Sequence, residues 1–203
     1  LKAIFDGLSQ EKEWSRFTAE EERLLTLFFR QWSVEPGHRV LEPGCGTGRL
    51  TGRLAEAVGR GGEVTAVDIS PGMIAAARAR GLPPQVRLIC GPVEEHLLAD
   101  RLFDRIICFN VFPHLVPQRQ TLERLVQRLG PSGVFWINHT GSREYINRIH
   151  RSGPPSIQDH LIPELLELRH WMTEAGLEFQ DGYDGPDSFW ISAFRPQARG
   201  EMK

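Results

Sequence analysis

Cysteine is scarce in this chain. There are three among 203 residues, an odd number, and no two are spaced as C-x-x-C. Cys45, Cys90 and Cys108 all sit in or beside strand-like apolar runs. That usage excludes a disulfide framework and a thiolate zinc site, and reduced cysteines are expected. Long apolar runs are missing as well. None reaches the ~20 residues that cross a bilayer, and no signal peptide is visible. No membrane span and a cytoplasmic location are therefore expected. Basic runs are lacking: net charge is −2, and holding a phosphate backbone needs clustered Lys and Arg. Nucleic acid is not an expected partner, although Arg143, Arg148 and Arg151 lie close together. Internal repeats and low-complexity tracts are absent. Seven histidines are present, but they are irregularly spaced with no H-x-x-x-H, so no metal is expected.

What remains is an ordinary globular composition, 40% hydrophobic and 25% charged, enough for one domain with a sizeable core. Its organising stretch is Val40-Leu41-Glu42-Pro43-Gly44-Cys45-Gly46-Thr47-Gly48-Arg49-Leu50. The short apolar run before Glu42 reads as a buried parallel strand. Three glycines at alternate positions follow, and then Leu50, Leu54, Ala57 and Val58 recur at helical spacing. This is a strand, a tight turn and a helix N-terminus. Glycine there lets the backbone take positive φ and lets a ligand approach closely, with orphan N–H groups facing it. The dinucleotide fingerprint G-x-G-x-x-G fails, because its third glycine would fall at Arg49 or Thr51. Glu42 ends the strand just before the glycines. A carboxylate there repels a pyrophosphate and attracts a ligand carrying an ammonium or sulfonium. The next run, Glu63–Asp68, also ends in an acid. Asp68 lies about 20 residues past Gly48, the spacing at which an acid binds ribose hydroxyls.

VLEPGCGTGRL followed by VTAVDIS-PGMI resembles motifs I and II of the class I S-adenosylmethionine-dependent methyltransferases. The resemblance covers roughly residues 37–140. It implies a Rossmann-like α/β fold: a seven-stranded, mostly parallel sheet with an antiparallel last strand and helices on both faces. It also implies S-adenosylmethionine as cofactor, held by Glu42, Gly44, Cys45, Gly46, Gly48, Asp68, Ile69 and Met73. Family members often continue their third strand with Gly-Asp-Ala-Glu, which holds the adenine. Here the run is Gly91-Pro92-Val93-Glu94, leaving the Val93 main chain at the adenine edge and Glu94 as a substitute acid. The fourth strand, Phe103–Asn110, leads into Val111-Phe112-Pro113-His114. Asn110, Phe112 and His114 thus fall where open α/β sheets bind ligands, Asn110 and Phe112 on the cofactor side. Gly130-Pro131-Ser132-Gly133 resembles the family's PGG turn before the fifth strand, with Ser132 replacing a glycine.

One domain over residues 1–203 is expected. Its parts are a helical cap at 1–35, a cofactor core at 36–140, a helical lid at 141–175 and a β-hairpin at 176–203. In the cap, Phe5, Leu8, Trp14 and Phe17 stand among charges; the segment is either a cover for the cofactor pocket or an ordinary packed helix. Thr18 with Glu21 forms a capping box for the next helix. In the lid, a helix from about Ser142 to Arg151 places Arg143, Asn147 and His150 on one stripe. The stripe either lines an acceptor pocket closed by loop 152–160 or hydrogen-bonds that loop.

Methyl transfer from a sulfonium is an in-line displacement in which the protein mainly aligns donor and acceptor. A general base is needed when the nucleophile arrives protonated. Histidine suits that role near neutral pH, which makes His114, His139 and His150 the candidate catalytic residues. Arg143 and Asn147 are the candidate substrate-binding residues. The expected partner is a small polar or anionic molecule. RNA or protein methylation, or cofactor binding without catalysis, are the alternatives.

Overall fold

The computed structural model of the chain describes residues 2–9, 16–96 and 101–197; Trp14 lies outside them. Seven strands form one sheet: β1 (Arg39–Pro43), β2 (Glu63–Asp68), β3 (Val86–Cys90), β4 (Phe103–Phe109), β5 (Leu129–His139), β6 (Glu178–Asp184) and β7 (Phe189–Phe194). Their order is β3-β2-β1-β4-β5-β7-β6. The first five pair in parallel, and β7 runs antiparallel to both β5 and β6. The order reverses between β1 and β4, so a crevice opens beyond their C-terminal ends.

Parallel pairing demands crossovers, and helices supply them. The helices are α1 (Lys2–Leu8), α2 (Ala19–Trp32), α3 (Arg49–Val58), α4 (Pro71–Ala79), α5 (Gln118–Val126), α6 (Arg143–Ser152) and α7 (Leu165–Glu174). Successive strand residues point to opposite faces, and each face has its own core. On one side Leu25, Phe28 and Trp32 of α2 and Leu54 of α3 pack with Val40 and Val64. On the other, Leu122 and Leu125 of α5 and Leu168 and Met172 of α7 pack with Ile106 and Phe135. The Thr18–Glu21 capping box forms as read from the sequence. The segment 130–133 is part of β5 rather than a free turn, and Ser132 holds the left-handed φ of +61° where the family's glycine was expected.

Two elements depart from a packed helix. Along α6 only Asn147 is buried, so this helix lies on the surface. α1 has no buried residue and rests over the N-terminus of α4.

Candidate functional site

The glycine turn joins β1 to α3 at the crevice. Gly44, Gly46 and Gly48 all take positive φ, at +66°, +54° and +77°. A Cβ on Gly44 would lie 2.1 Å from Val111 Cγ2, so only glycine lets the turn pass under the segment that follows β4. Gly48 caps α3, and a Cβ there would press within 3.1 Å of Ala77 on α4.

Beyond the turn lies a cleft of about 230 Å³, bounded by Gly44, Gly46, Asp68, Ile69, Met73 and Val93, with Glu94 and Asn110 at its rim. Asp68 stands at its centre: Oδ2 accepts from the Gly46 N–H at 2.8 Å and Oδ1 from the Ser70 N–H at 2.9 Å. Burial raises its pKa, against the pull of those two amides. A carboxylate oxygen has lone pairs to spare beyond one amide each, so Asp68 can still accept from a diol. One Glu94 oxygen accepts from Thr121 Oγ1 at 2.5 Å. α1 closes one side. Phe5 lines the cleft and meets the His114 ring edge-on at 5.2 Å, while Asp6 accepts from Ser70 Oγ at 2.5 Å and the Gly72 N–H at 3.1 Å. Those bonds hold the Asp6 carboxyl below its usual range, the Ser70 bond most.

A smaller cavity of about 60 Å³ opens behind the turn, sharing Gly44, Gly46 and Asn110 with the cleft. An acid and a base line it, Glu42 and Arg49. Glu42 is 3% exposed and accepts from Thr51 Oγ1 at 2.6 Å. Burial pushes its pKa up to about 8, partly offset by Thr51 and added to by the Asp68 charge. Arg49 lines the same cavity; its guanidinium lies 4.4 Å from the Phe17 ring centre, donates to the Arg16 carbonyl at 2.7 Å and stands 3.8 Å from the Glu21 carboxylate. Phe17 belongs to the cap segment expected over the cofactor pocket or packed on the core, whereas Arg49 is not among the expected site residues. A signal was present, because a cation in the first turn of a helix opposes the macrodipole.

A third cavity, about 250 Å³, lies beyond the ends of β4 and β5 and again shares Asn110. His114, His139 and His150, the three histidines singled out in the sequence, line it together. The His114 and His150 rings are 4.9 Å apart. His160, from the loop after α6, joins them: its Nδ1 is 3.1 Å from His114 Nδ1, and its carbonyl contacts His150 Nδ1. Burial, seconded by neighbouring histidines, pulls His114 and His139 down to about 3, and burial also lowers His160. His139 Nε2 is buried without a hydrogen-bond partner. Asn110 itself sits at φ +53°, a conformation asparagine tolerates better than most. Its carboxamide accepts from the Thr140 N–H at 2.9 Å and donates to Thr140 Oγ1 at 3.1 Å, tying the end of β4 to that of β5.

Three expected site residues point elsewhere. Phe112 is fully buried in the α5–α7 core; the tight turn after β4 sends Val111 and His114 to the cleft and Phe112 inward. Arg143 pairs with Asp184 of β6 at 2.6 Å and lines none of the three cavities. Asn147 is spent on the main chain of Ile162. The stripe on α6 therefore splits: His150 lines the histidine cavity, and Asn147 fastens the loop.

A profile of the methyltransferase domain family matches residues 40–133. The chain is 33% identical over 181 residues to a ubiquinone biosynthesis O-methyltransferase of Xylella fastidiosa strain M23, covering 82% of this chain and 71% of that one. It belongs to the class I S-adenosylmethionine-dependent methyltransferases. It is also 33% identical over 135 residues to the malonyl-[acyl-carrier protein] O-methyltransferase of Anoxybacillus flavithermus, covering 66% of this chain, and spans about half, 51%, of that relative's length. The methyltransferase fold is matched at a TM-score of 0.75 and 17% identity by the N-methyltransferase NodS of Bradyrhizobium japonicum in complex with S-adenosyl-L-homocysteine. That match covers 97% of this chain and 98% of NodS.

Proposed function

We propose that this methyltransferase transfers the methyl group of S-adenosylmethionine to a small-molecule acceptor. The observation that carries the reading is Asn110, a wall common to the 230 Å³ cleft, the charged cavity behind the glycine turn and the histidine-lined cavity. A ligand lying across the first two meets the third at that residue.

The side chains fit the cofactor part by part. Met73 and Val93 offer apolar contact to a flat base, and Asp68 offers acceptors to a ribose diol. Glu42 and Arg49, on the same small cavity, match the ammonium and carboxylate of an amino acid. A pyrophosphate would instead meet the Glu42 and Asp68 carboxylates. Bound S-adenosylmethionine supplies an electrophilic methyl group on a good leaving group. The chain aligns the two partners and keeps water from the path.

Titration calorimetry tests this directly. S-adenosylhomocysteine should bind at micromolar levels, about −8 kcal/mol, and NAD should not. Binding of NAD alone would remove the reading.

A further inference from the structure

We infer that the acceptor is an uncharged hydroxyl compound, whose O–H is held by Nε2 of His150 and loses its proton to that nitrogen. The inference rests on the methyltransferase reading above and goes on to the acceptor's chemistry. The two relatives leave that chemistry open, since a malonyl group offers a carboxylate oxygen and other O-methylations use a hydroxyl. A carboxylate needs a cation and no base. A hydroxyl needs a base and no cation.

The histidine-lined cavity separates the two cases. None of its lining residues is Asp, Glu, Lys or Arg. Arg151, next to His150 in sequence, is exposed and not among the lining residues, and Arg143 is held at 2.6 Å by Asp184. Arg148 lies against the Tyr145 ring, 5.5 Å from its centre, and is not among the lining residues. The walls between the imidazoles are Pro113, Ile146 and Tyr145. An anion would enter without a partner, which is costly away from water.

The base is fixed by a tautomer. A carbonyl oxygen only accepts, so His150 Nδ1, in contact with the His160 carbonyl, carries the ring proton. The neutral ring then has its lone pair on Nε2, and Nε2 makes no hydrogen bond among the described residues. His160 is thus a positioning residue acting through its main chain. His114 and His139 are poor rivals for the proton. Burial disfavours their charged forms, and His114 Nδ1 already faces His160. In the reaction the acceptor oxygen forms the O–CH₃ bond as the methyl–sulfur bond breaks with its electron pair left on sulfur. The hydroxyl proton passes to His150 Nε2 and later to solvent.

The test uses the whole chain saturated with S-adenosylhomocysteine and two planar probes of similar size, catechol and benzoate. Calorimetry should show catechol binding and benzoate binding at least tenfold more weakly. His150→Phe should lose catechol affinity tenfold or more while S-adenosylhomocysteine affinity and melting temperature stay near wild type. His150→Gln keeps an acceptor at that position, so it should restore catechol binding without restoring methyl transfer to catechol. In ¹⁵N spectra of histidine-labelled protein, His150 should be the Nδ1–H tautomer, and catechol should shift its Nε2 resonance. Tighter benzoate binding, an Nε2–H tautomer, no binding of either probe at millimolar concentration, or catechol affinity unchanged in both variants would each overturn the inference. Failure of S-adenosylhomocysteine to bind wild type would instead overturn the methyltransferase reading.

Discussion

Asn147 holds the main chain of Ile162 by both of its polar groups: Nδ2 donates to the carbonyl at 2.9 Å, and Oδ1 accepts from the N–H at 2.7 Å. Asn147 is 4% exposed and Ile162 is 1% exposed, so no water replaces either bond. Asn147→Ala would strand a buried donor and a buried acceptor, each worth roughly 1–3 kcal/mol. The expected result is a loss of about 2–5 kcal/mol in a denaturant titration. Affinity for S-adenosylhomocysteine should stay within about twofold, because Asn147 lines neither cofactor cavity. A cofactor affinity that falls with unchanged stability would return Asn147 to the ligand site.

Arg49 and Glu42 line the same small cavity behind the glycine turn. Arg49→Met keeps a long apolar side chain there and removes the charge. S-adenosylhomocysteine should then bind tenfold or more weakly, the loss of a charge-assisted pair worth roughly 1.5–3 kcal/mol. 5′-Methylthioadenosine lacks the amino-acid end, so its affinity should hardly change. Equal losses for both ligands would show that Arg49 shapes the fold and not the ligand.

Glu42 makes stability and binding depend on pH. Its pKa stands near 8 folded against an ordinary 4.5. Between those values the folded chain keeps a proton that the unfolded chain has lost. Stability should therefore fall as pH rises through that window, by on the order of a few kcal/mol, and level off above about pH 8. Glu42→Gln should flatten the slope of melting temperature against pH. A cationic ligand favours the ionised carboxyl, so binding of S-adenosylhomocysteine at pH 7 should release a proton. Calorimetry in two buffers of different ionisation enthalpy measures that release, and Glu42→Gln should abolish it.

Gly48 separates a packing glycine from a ligand-facing one. Gly48→Ala puts a Cβ at φ +77° and 3.1 Å from Ala77. A cost of roughly 1–2 kcal/mol follows from the left-handed backbone alone, and the contact adds to it. Melting temperature should drop while cofactor affinity at low temperature is retained. Retained stability with lost affinity would place Gly48 in the cofactor site.

The parts legible in the sequence are those set by neighbours in sequence. Strand, glycine turn and helix N-terminus are contiguous from Val40 to Leu50, and Asp68 is fixed by the end of its own strand. The capping box at Thr18 is likewise local. Arg143 and Asn147 were placed correctly on one helical stripe, but helical spacing says only which residues share a face. What that face meets depends on Asp184 and Ile162, which lie 41 and 15 residues on. Phe112 failed for a related reason: the turn after β4 is too short for periodicity to choose its inward residue. His160 meets His150 through its main-chain carbonyl, a contact that no side-chain pattern records.

The small helix over the cleft has a consequence for timing. α1 buries no side chain and is fastened chiefly by Asp6 on Ser70 and Gly72 and by Phe5 against His114. That latch rests on a few surface contacts, which is where local opening costs least. Asp6→Ala is then expected to speed the release of S-adenosylhomocysteine in stopped-flow measurements, with the melting temperature left where it was.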